Sequence, residues 1–344
     1  MTEKKKVLVG ISGGVDSAYA VKLLLDKGYE VLGAGLVFSD HTDIESVKKA
    51  ASELSIPLVI HDCRSAFEKH VIDYFARTYL EGGTPNPCAI CNRYVKMEEL
   101  YRLSLENRCD YFATGHYAMP LLLENGRYTV RMGNDTKKDQ SYMLWGMTQA
   151  QLSRFIAPLA ECIKGDIKKE AEKLGISSAG AKESQDICFI KGEGYAEFIE
   201  QRYGKSPEGN LLDIDGRVIG RHKGILNYTV GQRRGLGTAL GYRAYVSSID
   251  SVNNTVTLAP ASDSRKSEFF VENINLMAYE YSSGDVLDAL VKIRYSAKPV
   301  PVRVVFEKER ARVIFKDAPL NPAPGQSAVF YDGDMLLFGG IIKL

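Results

Sequence analysis

No charge of either sign dominates this 344-residue chain: 44 Lys and Arg stand against 43 Asp and Glu, for a formal net charge of +1. Bulk charge therefore points to no polyanionic partner, and any nucleic-acid site must be a local patch. Long apolar runs are missing too. Behind the charged Met1 to Lys6 only Val7 to Ile11 is apolar, too short for a signal h-region or a membrane span. No later run approaches membrane length, so a soluble cytoplasmic protein is expected. Six cysteines in 344 residues are too few for a disulfide framework and suit a reducing compartment. Internal repeats and low-complexity tracts are absent. The length and the 45% hydrophobic content predict two or three packed domains.

The most informative stretch is Gly10-Ile-Ser-Gly-Gly-Val-Asp-Ser17. It follows the apolar Val7 to Val9 and opens a helical pattern with Ala18, Val21, Leu24 and Leu25 on one face, closed by Gly28. A strand, a glycine-rich turn and a helix N-terminus together make an anion site: free backbone N–H groups and the positive end of the helix dipole converge on a phosphate. Gly13 and Gly14 let the backbone approach that phosphate, and Ser12 and Ser17 add hydroxyl donors. Asp16 suits orienting an amide or holding a metal. No Gly-Lys-Ser/Thr follows, so this is not the Walker pattern. It resembles the PP-loop, SGGxDS, of ATP pyrophosphatases.

Strand and helix signals alternate through the first half. Strands are expected at Val31 to Phe38, Leu58 to His61 and Tyr111 to Thr114, helices at Asp43 to Leu54 and Ala66 to Tyr79, and more helix over Leu152 to Leu174. That alternation predicts βαβ units and a parallel sheet, with ligands at the carboxyl ends of its strands, where Ser12 and Gly115 fall. From Asn210 onward, turn residues separate short alternating strands, including Thr255 to Leu258, Val300 to Val305 and Ala311 to Phe315, which predicts an all-β half. The expected divisions are 1–204, 205–264 and 265–344.

Two cysteines sit in Thr84-Pro-Asn-Pro-Cys-Ala-Ile-Cys-Asn92, read as a proline-stiffened loop that presents both sulfurs in a fixed direction. A zinc site would need a second CxxC or a paired His, and none is present. The flanks do not suit thioredoxin-type redox chemistry. A loop thiol acting with ATP chemistry remains, beside the plainer reading of a small buried hydrophobe. For Cys63, Cys109 and Cys162 the plain reading is preferred. Cys188 lies in Ile187-Cys-Phe-Ile190, which reads as a core strand, but the preceding Ser184-Gln-Asp186 brings that strand end toward a site.

Taken together, these segments resemble the tRNA-specific 2-thiouridylases, which replace O2 of the wobble uridine with sulfur. The matching segments are SGGVDS at 12–17, TPNPxxxCN at 84–92, ATGHYA at 113–118, KDQSYML at 138–144, SQDICFI at 184–190, NYTVGQRRGLG at 227–237, KIRYS at 292–296 and PGQSAVFYDGD at 324–334. The resemblance implies an adenine-nucleotide α-hydrolase-like (PP-loop, Rossmann-like) α/β domain, a small β-rich central domain and a C-terminal β-barrel. It implies ATP contacts from Gly10, Ile11, Ser12, Gly13, Gly14, Val15, Asp16, Ser17, Leu36 and Gly115. Cys188 would carry a persulfide delivered by a cysteine desulfurase or a relay protein, and Cys91 would resolve the intermediate as a disulfide. Mg²⁺ would offset the phosphate charge. Asn86, Pro87 and Cys88 would meet the flipped base, with Lys138, Asp139, Gln140, Arg294, Tyr295 and Gln326 on the tRNA and His116 near the anticodon. The tRNAs expected are those for Lys, Glu and Gln. Charge alone supports an RNA surface: Arg202 to Arg243 holds eight Lys or Arg against three acids, and Gln232-Arg-Arg234 suits phosphates.

The chain departs from the family pattern at Cys88, where many members have Asp. A thiol with a pKa of ~8.5 is a poor substitute for a carboxylate near ~4. One alternative has Cys88, Cys91 and Cys188 ligating a [4Fe–4S] cluster whose fourth iron binds sulfide. Leu36-Val-Phe-Ser39 also lacks the usual Met-Lys-Asn-Trp. Two readings from other classes stay open: a PP-loop ligase or amidotransferase, and a non-catalytic paralogue that binds tRNA.

Overall fold

The computed structural model describes residues 4–174, 176–180, 187–190, 192, 194–238, 240–317 and 320–343. Its first sheet is parallel throughout. Strand β1 (Lys6–Gly10) lies centrally, between β2 (Glu30–Val37) and β4 (Tyr111–Ala113). β3 (Leu58–Asp62) lies outside β2, and the two-residue strand Phe155–Ile156 outside β4. The alternation of β1 explains its central place: Val7 and Val9 join one apolar cluster with Val21 and Leu24, and Leu8 joins another on the opposite face with Phe112. Helix α1 (Val15–Asp26) and helix α2 (Ile44–Glu53) cover the first face. Gly28, at φ +84°, turns the chain out of α1 as expected.

The helix expected within Leu152 to Leu174 is Lys164–Lys173, preceded by the short helix Gln149–Leu152 and the strand Phe155–Ile156. The strand forms because Phe155, 5% exposed, pairs with Phe112 and covers the sheet's edge, their rings 5.4 Å apart. Leu25, expected on the buried face of α1, is exposed; Ala20 takes its place in the core.

Helices also run over 64–80, 87–106 and 195–203, and from Gly209 on the chain is β-rich, as expected. A four-stranded sheet joins Gly209–Leu212, Val218–His222, Ala244–Asp250 and Thr255–Pro260 around Leu211, Val246, Val256 and Leu258. Beyond it, six antiparallel strands from Glu268–Leu276 to Met335–Lys343 close into a barrel when the last pairs with the first, Val271 opposite Ile342. The hairpin Ala118–Leu122 and Tyr128–Met132 leaves the first half of the chain and extends the barrel sheet, with Arg131 opposite Met335. Trp145 fixes the same junction. Its indole N–H donates to Ser327 Oγ at 3.0 Å, and Gly339 leaves room for the ring, since a Cβ there would lie 2.7 Å from Trp145 Cβ. Burial of such a ring contributes about 3 kcal/mol, so the barrel is fixed firmly against the parallel-sheet half.

Candidate active site

The loop between β1 and α1 is an anion cradle. Gly14 is the N-cap of α1 and offers no side-chain acceptor, so the first-turn N–H groups stay open to a ligand. Gly13 makes the turn at φ +79°. Ser17 Oγ donates to Gly14 O at 2.9 Å and accepts from Ser12 N–H at 3.2 Å, which ties the loop into a ring. Gly115 closes it from β4: a Cβ there would lie 2.9 Å from Asp16 C and 3.0 Å from Ser17 N. A cavity of about 340 Å³ opens beside the loop, lined by Gly10, Ile11, Ser12, Asp16, Ser17, Leu36 and Gly115. Gly14 and Val15 instead line a neighbouring cleft of about 1040 Å³, and Gly13 lines neither. Asp16 takes both partners that reach it: Lys164 Nζ lies 2.5 Å from each carboxylate oxygen, and Tyr117 OH donates to Oδ1 at 2.7 Å.

The segment read as a cysteine loop is a loop only as far as Asn86. Asn86 caps a helix, Pro87–Cys91, by accepting from Ala89 N–H at 3.2 Å, and Pro87 occupies its first turn, where a missing N–H costs nothing. Helical structure continues to residue 106. Cys88 and Cys91 are thus one turn apart on one face, Cys88 exposed and Cys91 half-buried against the core. Cys188 is likewise on no strand: Ile187 to Ile190 form a turn closed by Ile190 N–H on Ile187 O at 3.1 Å, which leaves Cys188 exposed and Phe189 buried. Phe189 packs into Phe67, Phe75 and Phe198 at 5.6, 5.2 and 5.5 Å. Ser184, Gln185 and Asp186 lie outside the described residues. Burial pushes the Cys91 thiol up to about 12, with Cys188 and Cys88 adding to the rise and Lys96 opposing it. Burial and then Cys88 push Cys188 up as well. Each thiol therefore feels the next. Cys188 lines the larger cleft with Ser12, Gly14, Asp16, Lys164 and Tyr295. Phe189→Ala should cost about 3–5 kcal/mol of stability by emptying this aromatic pocket, as denaturant unfolding would read, and should free the Cys188 turn.

The family model described as a tRNA methyl transferase HUP domain matches residues 5–192, its PRC-barrel companion 196–260, and an aminomethyltransferase beta-barrel domain 266–342. The tRNA-specific 2-thiouridylase MnmA of Pelotomaculum thermopropionicum is 42% identical over 99% of this chain and 98% of that one. Its counterpart from Acetivibrio thermocellus is 39% identical over 99% of each, and that of Clostridioides difficile 37% identical over 100% of this chain and 99% of its own. The chain belongs to the tRNA-specific 2-thiouridylase family. Among solved structures, a 4-thiouridine synthetase–RNA complex with bound ATP aligns with 54% of this chain and 44% of that one, at 18% identity and a TM-score of 0.37.

The other residues matched to the thiouridylase pattern are spread over several roles. Lys138, Gln140 and Tyr295 line the larger cleft. His116 lines the smaller cavity, 2.7 Å from Thr114 Oγ1 through Nδ1; burial and Lys96 lower it to about 3, so it is neutral. Asp139 is buried, and its carboxylate accepts from Gly133 N–H, Ser141 N–H and Ser141 Oγ, so it organises its own turn instead of meeting solvent. Arg294 donates to Val230 O at 3.2 Å. Gln326 donates to Thr84 O and Pro85 O. Cys63 and Cys109 are buried, as expected, and Cys162 is half-buried. Three residues escaped the sequence reading: Lys164 and Tyr117 on Asp16, and Lys96, which lines the smaller cavity and opposes the rise of all three thiols. Tyr117 lies inside the matched ATGHYA segment; nothing local marks the two lysines. Among the described residues no three His, Cys, Asp or Glu side chains form a metal-holding group. The Asp16 carboxylate is engaged by Lys164 and Tyr117. No described helix is long and apolar enough to cross a membrane.

Proposed function

We propose that this protein is an ATP-dependent tRNA-uridine 2-sulfurtransferase of the cytoplasm, with domain divisions near residues 204 and 264. One observation carries the reading: the anion cradle and Cys188 open into one cleft of about 1040 Å³. In this reading, O2 of the wobble uridine attacks the α-phosphorus of ATP and pyrophosphate leaves, held by the N–H groups of the 12–17 loop. A carbonyl oxygen is a poor leaving group, and the AMP it now carries is a good one. The terminal sulfur of a Cys188 persulfide bonds to C2 and AMP departs. The Cys91 thiol then attacks Cys188 Sγ, which breaks the bond to the transferred sulfur, and gives up its proton to the released thiouridine. The products are a thiocarbonyl at C2 and a Cys91–Cys188 disulfide, which an external thiol reduces.

A persulfide is more acidic than a thiol, so it is ionised at neutral pH where Cys188 itself is not. Cys91, pushed up to about 12, stays protonated at rest, which protects a loaded Cys188 from early discharge. Mg²⁺ brought with ATP would offset the phosphate charge. Lys138, Arg294 and Tyr295 contact the tRNA, Asn86, Pro87 and Cys88 face the flipped base, and the acceptors are the Lys, Glu and Gln tRNAs. A desulfurase or relay protein supplies the sulfur. The test uses anaerobically purified protein with ATP, Mg²⁺, unmodified tRNA-Glu and either a persulfide donor or sulfide. Nucleosides are then analysed by mass. 2-Thiouridine that forms only with ATP and from the persulfide donor supports the reading, and its formation from sulfide alone overturns the persulfide step. Its absence with both donors, despite tRNA binding, overturns it in favour of a non-catalytic paralogue.

A further inference from the structure

The barrel reaches across to hold the segment just ahead of the cysteine helix. Thr84 N–H donates to Pro324 O at 2.6 Å, and the Gln326 side-chain amide donates to Thr84 O and Pro85 O, each at 3.1 Å. Tyr74 OH donates to Gly325 O at 2.8 Å from below. Gly325 sits at φ +85°, and a Cβ there would lie 2.4 Å from Thr78 Cγ2 and 3.2 Å from Thr84 O, so only glycine seats the turn this closely. The segment needs this help. Pro85 and Pro87 have no N–H, so Thr84-Pro-Asn-Pro87 has more carbonyls than donors and cannot satisfy them by itself. Two of those carbonyls are met by one side chain about 240 residues away in sequence. Directly downstream stand Asn86, the helix cap, and then Cys88 and Cys91.

We propose that Gln326 is a positioning residue for sulfur transfer. From the barrel it fixes the 84–86 segment, and through the Asn86 cap it sets where the Cys91 sulfur lies relative to Cys188. The significance of that position rests on the sulfurtransferase reading; the hold itself does not. Whatever engages the barrel is thereby linked to the thiols, because the 324–326 turn that carries Gln326 runs directly into the barrel strand Ser327–Asp332.

The test compares the full-length protein with Gln326→Ala, with Gln326→Glu, which keeps the shape but aims oxygens at both carbonyls, and with Tyr74→Phe. Alkylation of Cys91 and Cys188 by iodoacetamide is followed by peptide mass without ATP or tRNA, alongside tRNA affinity and kcat. Both Gln326 variants should alkylate Cys91 about tenfold faster, with Cys188 within about twofold, kcat reduced about tenfold and tRNA affinity nearly unchanged. Tyr74→Phe should move Cys91 in the same direction by about threefold. A tenfold loss of tRNA affinity with unchanged Cys91 alkylation overturns the proposal and makes Gln326 an RNA contact. Unchanged alkylation and kcat in all three variants also overturn it, as does equal acceleration of both cysteines, which marks general loosening. If the parent protein makes no thiouridine, the alkylation result still decides the hold, so the two readings fail separately.

Discussion

Replacing Cys188 by serine should abolish thiolation, a loss of at least about 1000-fold, while ATP and tRNA affinities stay within about twofold. Serine keeps the size and the turn, because Phe189 anchors Ile187 to Ile190 from the core and the residue at 188 faces the cleft. What is lost is the atom that carries sulfane sulfur. The cradle is built by β1, α1 and Gly115, and Cys188 belongs to a separate turn, so serine at 188 should leave nucleotide binding in place. Nucleoside mass analysis beside calorimetric titration of ATP and tRNA makes the measurement, and retained thiolation would remove Cys188 from the sulfur route. A pH profile sharpens the test. Burial and the neighbouring Cys88 raise the Cys188 thiol above its ordinary value. Its ionised fraction at neutral pH is therefore lower than that of a free thiol, and its alkylation rate should still be climbing where that of a free thiol has levelled off. Thiolation supplied with a persulfide donor should not follow that curve, because its nucleophile is the more acidic persulfide. If the two curves coincide, the free thiol, not the persulfide, is the reacting species.

How much of this was legible in the sequence depended on where each contact comes from. The cradle is local: an apolar triplet, glycines at the turn and a 3.6-residue apolar period all lie within 30 residues, and β1, the loop and α1 form where that pattern places them. The cysteine helix was also encoded locally but was misread, because two prolines suggested a loop. Pro87 directly after Asn86 is a helix-start signal, an N-cap followed by proline in the first turn. The turn at Cys188 was hidden by its composition: Ile-Cys-Phe-Ile suits a strand, and only the aromatic pocket that takes Phe189 decides otherwise. Other features could not be read at all. The hairpin ending at Met132 looks like any short β pair, and its partner strand starts at Met335, about 200 residues later. Gln326 and Lys164 reach their targets across 242 and 148 positions, and no window of sequence contains both ends.

Lys164 is the residue whose loss should most damage nucleotide binding. Its side chain is only 12% exposed, and its ammonium lies 2.5 Å from both oxygens of Asp16, whose own side chain is 34% exposed. A carboxylate in a phosphate-binding loop repels the ligand unless a cation balances it. Lys164→Met keeps much of the side chain's bulk and removes that cation, leaving Tyr117, among the described residues, to hold the Asp16 charge. Breaking a part-buried pair in this way costs about 2–3 kcal/mol, less than a fully buried pair because Asp16 is partly solvated. An incoming triphosphate meets the uncovered charge directly. ATP affinity should fall about 30- to 100-fold, with tRNA affinity unchanged. The double variant Asp16→Asn/Lys164→Met separates two explanations. If Lys164 acts by neutralising Asp16, removing both charges recovers at least about tenfold of the lost affinity. If the double variant binds ATP as poorly as Lys164→Met, the ammonium contacts the phosphates itself, and its pairing with Asp16 is where it waits for them.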